Sequence, residues 1–164
     1  MPRSLREQIN KKSGFISLEE EAMLNISRTA AMVDGHSRAF FKRYELSPPA
    51  YNLLRILRGH HERGEGLGVR ASEIGCQMVV RMPDVTRLVD RLEARGLVER
   101  GGCTEDKRVK YVRISAKGLR LLGEIDPQIP ALGRSVLGHL GKSELKSLSA
   151  LLEKARNEQE DQAS

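Results

Sequence analysis

Residues 79–115, VVRMPDVTRLVDRLEARGLVERGGCTEDKRVKYVRIS, constrain the fold more than any other part of this chain. Val85, Leu88, Val89 and Leu92 recur at helical spacing, and Pro83, Thr86, Arg87, Asp90, Arg91 and Ala94 fall on the opposite, exposed side of the same wheel. Pro83 suits a first helical position, where its missing N–H costs nothing, and Gly96 suits a left-handed cap, so a helix is expected over 83–95. Beyond it, 97–100 reads as a strand, Gly101-Gly102 as the start of a turn, and 109–115 as an alternating return strand. The tip between them, Cys103-Thr104-Glu105-Asp106-Lys107-Arg108, is too polar to bury. A short helix followed by a β-ribbon is the layout of a winged module, and the rest of the chain reads as scaffold for it.

The segment before the helix sharpens this. Residues 72–78, SEIGCQM, suit a short helix with Ser72 near its cap, and a four-residue turn, 79–82, leads into the next helix. Two helices joined by a tight turn form a helix-turn-helix, whose second helix is placed to enter a DNA major groove. An exposed two-stranded ribbon alone is marginal, so a charged tip projecting from it implies a partner. Arg108, long and permanently charged, suits the narrow, negative minor groove. Asp106 stands two residues earlier, where it could orient an arginine by a bidentate pair. The blander alternative is a solvated hairpin of mixed charge.

Charge supports the nucleic-acid reading by its placement. The formal net charge is +6 over 164 residues. Residues 81–120 hold eleven Lys/Arg and six Asp/Glu, so +5 of it lies in a quarter of the chain. Aromatic residues are only 4% with no Trp, which argues against a base-stacking single-strand binder. No run of 18 apolar residues and no secretory pattern in MPRSLREQINKKSG are found, so a cytoplasmic chain without a membrane span is expected. Two cysteines, Cys76 and Cys103, give no disulfide framework. Cys76 reads as a small core residue; Cys103, beside Lys107 and Arg108, reads either as a plain turn cysteine or as a redox switch.

The flanks read as helices with more apolar surface than one small lobe can cover. Residues 1–16 look like a solvated arm. Over 17–44, Leu18, Ala22, Ile26, Ala30, Val33, Phe40, Phe41 and Tyr44 recur near helical spacing, with Ser17 and Glu20 placed for a capping box. A helix of about seven turns needs a second chain to cover part of it. His36 within it reads as a satisfied or exposed histidine rather than a sensor. Ser47 and Pro48 start a second helix whose buried side is Leu53, Leu54, Ile56 and Leu57. GHHERGEGLG, 59–68, then reads as a break with four glycines; adjacent His60 and His61 point in different directions, and no Cys/His/carboxylate spacing completes a metal site. Ser115 caps another helix from Ala116, which Pro127 and Pro130 are expected to kink or break around 126–130. A last helix follows 141–144, with Leu145, Leu148, Leu151 and Leu152 apolar.

VTRLVDRLEARGLVER followed by DKRVKYVRIS resembles the MarR family of bacterial transcription regulators, and the match extends through LSPPAYNLLRIL and LGKSELKSLSALLEK to cover most of 18–158. Its most specific part is the wing pattern Asp-x-Arg, met by Asp106 and Arg108. The resemblance implies a mainly α fold with a small β-ribbon (α+β): six helices and a two-stranded wing, dimerising through the terminal helices. It also implies that residues 83–95 are the recognition helix, that Arg108 is a minor-groove arginine and that Asp106 holds the wing or a neighbouring arginine. Family members often carry Ser/Thr where Pro83 and Asp84 stand, and Asp where Cys103 stands. An ionised Asp84 cannot donate to phosphate; it can accept from a cytosine amino group or pair with Arg87.

These readings define a layout: an arm over 1–16, a dimerisation helix over 17–46, a winged helix-turn-helix lobe over 47–115, C-terminal dimerisation helices over 116–158 and a tail over 159–164. The expected function is a homodimer on a pseudo-palindromic site in double-stranded DNA, acting as a repressor relieved by a small aromatic or phenolic ligand. Arg81, Arg87, Arg91 and Lys110 are phosphate candidates, Asp84, Thr86 and Arg87 base-edge candidates, Pro83 sits at the groove end, and Asp106, Lys107 and Arg108 form the wing tip. The rival readings are a Cys103 redox regulator and a winged module that binds protein. An enzyme is disfavoured, because no nucleophile–base pairing, phosphate-cradling glycine motif or carboxylate pair in an apolar setting is found. No cofactor is expected.

Overall fold

The computed structural model describes residues 3–64, 68–102 and 110–160. The chain divides into two units, Met1–Pro127 and Gln128–Ser164. The first carries helices α1 (Leu5–Gln8), α2 (Leu18–Lys42), α3 (Pro48–Glu62), α4 (Ala71–Gln77), α5 (Val85–Ala94) and α6 (Ala116–Ile125), with strands β1 (Val69–Arg70), β2 (Val98–Gly102) and β3 (Lys110–Ile114). The second carries α7 (Ile129–Leu137) and α8 (Lys142–Glu160).

The core of the first unit gathers apolar residues from α3 to α6 and from the strands. Leu53, Leu54 and Leu57 of α3, Ile74 of α4, Leu88, Val89 and Leu92 of α5, and Leu122 and Ile125 of α6 are buried with Val69, Val98, Val112 and Ile114 of the strands. Ser47 starts α3 by accepting from the Ala50 N–H at 3.3 Å, and Ser115 starts α6 by accepting from the Gly118 N–H at 3.0 Å. Gly118 is required there: a Cβ would lie 2.3 Å from the Leu97 carbonyl oxygen.

The expected two-stranded ribbon forms as β2 and β3, and among the described residues a third strand, β1, joins it. The sheet order is β1-β3-β2, all antiparallel, with Val69 opposite Val112, Val98 opposite Ile114 and Gly102 opposite Lys110. β1 holds only two residues, too few for an alternating pattern to show. β2 runs through Gly101 and Gly102, which were expected to open the turn. Position 103, expected to start the tip, lies with 104–109 outside the described residues.

The arm is not merely solvated: α1 carries a capping box between Ser4 and Glu7, its Leu5 is buried, and Arg28 of α2 donates to Gln8 at 2.9 Å. Ser17 caps α2, accepting from the Glu20 N–H at 3.2 Å, but the Glu20 carboxylate accepts from Ile16 rather than from Ser17, so the capping box is half formed. α3 does not stop at Gly59. It continues to Glu62, because a helical glycine costs only about 1 kcal/mol relative to alanine and packing outweighs it. α4 starts at Ala71, with Ser72 inside it and the Arg70 N–H donating to Glu73 at 3.4 Å. Cys76 is exposed on α4 rather than a core residue; of that short helix only Ile74 is buried.

The expected interruption of the late helix is present. α6 ends at Ile125, a three-residue 3-10 turn covers Asp126–Gln128, and α7 begins with Pro130 in its first turn, where proline removes no helical bond. Counted with α1 and this break, the described residues form eight helices where the family pattern implied six. In the second unit Val136 is buried, Leu145, Leu148 and Leu152 are half-buried, and Leu151 is 65% exposed.

Candidate nucleic-acid interface

The exposed side of α5 is built by a cap at one end and a clamp at the other. Asp84, not Pro83, sets the helix start: its carboxylate accepts from the Arg87 N–H at 2.9 Å, so the first helical residue is Val85 and Pro83 lies outside, exposed. The same carboxylate pairs with the Arg87 guanidinium at 2.9 Å, the alternative expected for an ionised Asp84. At the other end Gly96 adopts φ +68°, and the Leu97 N–H donates to the Leu92 carbonyl at 2.9 Å. Ser115 donates its hydroxyl to the Gly96 carbonyl at 2.7 Å and Lys117 its ammonium to the Arg95 carbonyl at 2.8 Å. The Arg95 guanidinium reaches the carbonyls of Tyr44 and Glu45, tying α5 to the end of α2.

The turn before α5 is held just as firmly. Met78 is buried, and the Val79 N–H donates to the Asn52 side chain of α3 at 2.9 Å. The wing is stapled to α5 by Arg100 of β2, which donates to Glu93 at 2.6 Å and is bonded to Asp90 at 2.5 Å. Partial burial opposes the charge on Arg100, but its bond to Asp90 and the Glu93 and Asp90 carboxylates outweigh that and raise its pKa further. Arg100 and Asn52 were not singled out from the sequence. No periodicity marks them, because each acts on a different element from its own.

The exposed stripe forms as expected. Arg81, Pro83, Thr86, Arg87 and Arg91 are exposed and Asp84 is half-buried, all on the turn and the outer side of α5, while Lys110 is exposed at the start of β3. Asp90, on the same side, is engaged by Arg100. Asp106, Lys107, Arg108 and Cys103 lie outside the described residues. His60 shares 3.1 Å with Gln77, and with His61 it borders a cleft of about 450 Å³ floored by Leu57, Val69, Val112 and Ile114. Among the described residues no group of three His, Cys, Asp or Glu is placed to hold a metal, and no helix is long and apolar enough to cross a membrane.

A buried-stripe helix whose outer side carries Arg and Thr, fixed at a set angle to an antiparallel wing, defines a winged helix-turn-helix module. The family model described as MarR family matches residues 46–110, from just before α3 to the start of β3. A solved MarR transcription factor from Planctomyces limnophilus is 36% identical, with 85% of this chain and 98% of that one covered at a TM-score of 0.66. The HTH-type transcriptional regulator MhqR of Bacillus subtilis (strain 168) is 25% identical over 129 residues, 79% of this chain and 85% of that protein. BpsR of Bordetella bronchiseptica, solved to explain regulation of its DNA binding by 6-hydroxynicotinic acid, shares the fold at a TM-score of 0.72 and 19% identity, with 84% of this chain and 100% of that one covered. The chain belongs to the MarR family. It is a DNA-binding transcription regulator and not an enzyme.

Proposed function

We propose that two copies of this chain bind a pseudo-palindromic operator as a homodimer, placing their α5 helices in successive major grooves about 10 base pairs apart. The observation that carries this reading is the outer side of α5: exposed Thr86, Arg87 and Arg91 on a helix whose opposite side is buried and whose ends are both fastened. Arg81, Arg87, Arg91 and Lys110 anchor phosphates; Thr86, Asp84 and Arg87 meet base edges, beside Pro83. The Asp84–Arg87 pair is solvent-exposed, worth about 0–1 kcal/mol, so Arg87 is exchanged to a base or phosphate at small cost. Asp106, Lys107 and Arg108 form the wing tip, with Arg108 in the minor groove.

Dimerisation falls to 17–46 and 116–158, around the lobe of 47–115, with 1–16 as an arm and 159–164 as a tail. The support for it is α2, where every residue from 22 to 33 is exposed, including Met23 at 68% and Ile26 at 47%. The dimer represses by occluding a promoter in the cytoplasm and releases when a small aromatic or phenolic ligand favours a different half-site spacing. Regulation of BpsR by 6-hydroxynicotinic acid supports a ligand of that class.

The test is a binding titration on duplex DNA across a salt series. Each neutralised phosphate adds about −0.9 to the log–log salt slope, so affinity falls steeply with salt. Arg108→Ala weakens all sequences alike and Arg87→Ala weakens the operator more than unrelated duplex. Unchanged affinity in both variants would overturn the reading.

A further inference from the structure

Val79 and Val80, in the turn between α4 and α5, are 86% and 64% exposed. Two adjacent β-branched apolar side chains in water are not explained by a loose loop. Met78 immediately before them is 6% exposed, and the Val79 N–H is held by Asn52 at 2.9 Å, so the backbone that presents them is anchored to the lobe core. The turn leads directly into α5, and Arg81 next to the pair is exposed. An apolar pair beside exposed arginines at the entrance of a groove-reading helix matches one chemistry of DNA in particular. Among the bases only thymine places a methyl group in the major groove, and apolar side chains read it by contact.

We propose that Val79 and Val80 are specificity-determining residues that read thymine C5-methyl groups at the edge of each half-site. This rests on the DNA-binding reading of α5 and adds a base preference to it that none of the charged candidates supplies. The arginines neutralise phosphate or take guanine; the valines supply apolar contact, which rejects cytosine and uracil by absence of the methyl. Burying one methyl against an apolar partner is worth roughly a fourfold change in affinity.

The experiment uses the full chain and the duplex it selects from a random pool. Each thymine of that duplex is replaced in turn by deoxyuridine, which deletes the methyl and leaves the Watson–Crick edge unchanged. Wild type is expected to lose roughly fourfold at one or two thymines per half-site, and Val79→Ser or Val80→Ser to bind thymine and uracil duplexes equally at those positions. Both variants carry exposed substitutions, and an unchanged thermal melt is the control for folding. A flat uracil scan in wild type, a selected half-site without thymine, or a methyl dependence that survives both substitutions would overturn the inference while leaving α5 as the reading helix. Failure of wild type to select any sequence would overturn the inference together with the DNA reading beneath it.

Discussion

On α5, Leu88, Val89 and Leu92 are 6%, 0% and 2% exposed; on α2, Met23, Ile26 and Val33 are 68%, 47% and 36% exposed. Both helices have apolar residues at helical spacing, and the same reasoning predicts a buried stripe for each. The difference is what the chain provides to cover them. α5 lies on α4 and the wing sheet and is fastened at both ends by Asp84, Ser115 and Lys117. Among the described residues α2 buries only Phe41, toward its C-terminal end; Phe41 is 4% exposed and stacks on Tyr51 of α3 with ring centroids 4.5 Å apart. One stripe is a folding element; the other is exposed in the single chain and is the surface that the proposed dimer would cover.

If that contrast holds, mutations on the two helices break different things. Leu92→Ala should cost about 2–5 kcal/mol of unfolding free energy by deleting packed methyl groups; chemical denaturation measures it, and a loss below about 1 kcal/mol would show that the α5 stripe is not the core. Met23→Glu with Ile26→Glu should leave the helical spectrum of the lobe intact and weaken self-association at least about tenfold, roughly 1.4 kcal/mol, by setting charges against an apolar partner. Sedimentation equilibrium reads this directly, and an unchanged dimer constant would move the seam elsewhere.

Smaller effects are expected where polar contacts set geometry. Arg100→Ala removes the staple between β2 and α5 and should cost about 1 kcal/mol, since the pair is only partly buried. A drop in operator affinity larger than that loss of stability would show that the staple orients the wing.

The 3-10 turn at Asp126–Gln128 is fastened to α3 in a similar way. Tyr51 donates its hydroxyl to Asp126 at 2.9 Å, Arg58 pairs with the same carboxylate, and Arg55 donates to the Tyr51 hydroxyl at 3.0 Å. Burial pushes the Asp126 carboxyl up, but the bonds from Arg58 and Tyr51 and the charges of Arg58 and Arg55 outweigh it, so the net shift is downward. A depressed carboxyl pKa stabilises the fold above the unfolded value of about 3.9, and this contribution is lost as pH falls through the folded value. Asp126→Asn should therefore lower the melting temperature at neutral pH, and the gap from wild type should close below about pH 4. A gap that persists in acid would assign the effect to shape rather than charge.

What the residues disclosed follows from range of interaction. The α5 stripe, the Ser47 and Ser115 caps, the left-handed Gly96 and the break at Asp126-Pro127 depend on neighbours within a few positions, and each formed where expected. Pro83 misled because two helix-start signals stood side by side, and the carboxylate of Asp84 can accept the Arg87 N–H where proline only tolerates its place. β1 pairs with residues 43 and 41 positions later in sequence, and the bond from Val79 to Asn52 spans 27, so neither leaves a local pattern. Leu5 shows the same limit: of the few apolar residues in its polar segment it is buried while Ile9 is 39% and Ile16 93% exposed, a difference set by what covers each and not by local pattern.

The proposed homodimer is tested most directly by one measurement: selection of bound duplex from a random pool by the full chain, with the number of chains per duplex determined on the selected site. The homodimer predicts two chains on an inverted repeat whose half-site centres lie about 10 base pairs apart. An enriched sequence without symmetry, one chain per duplex, or no enrichment at all would contradict it.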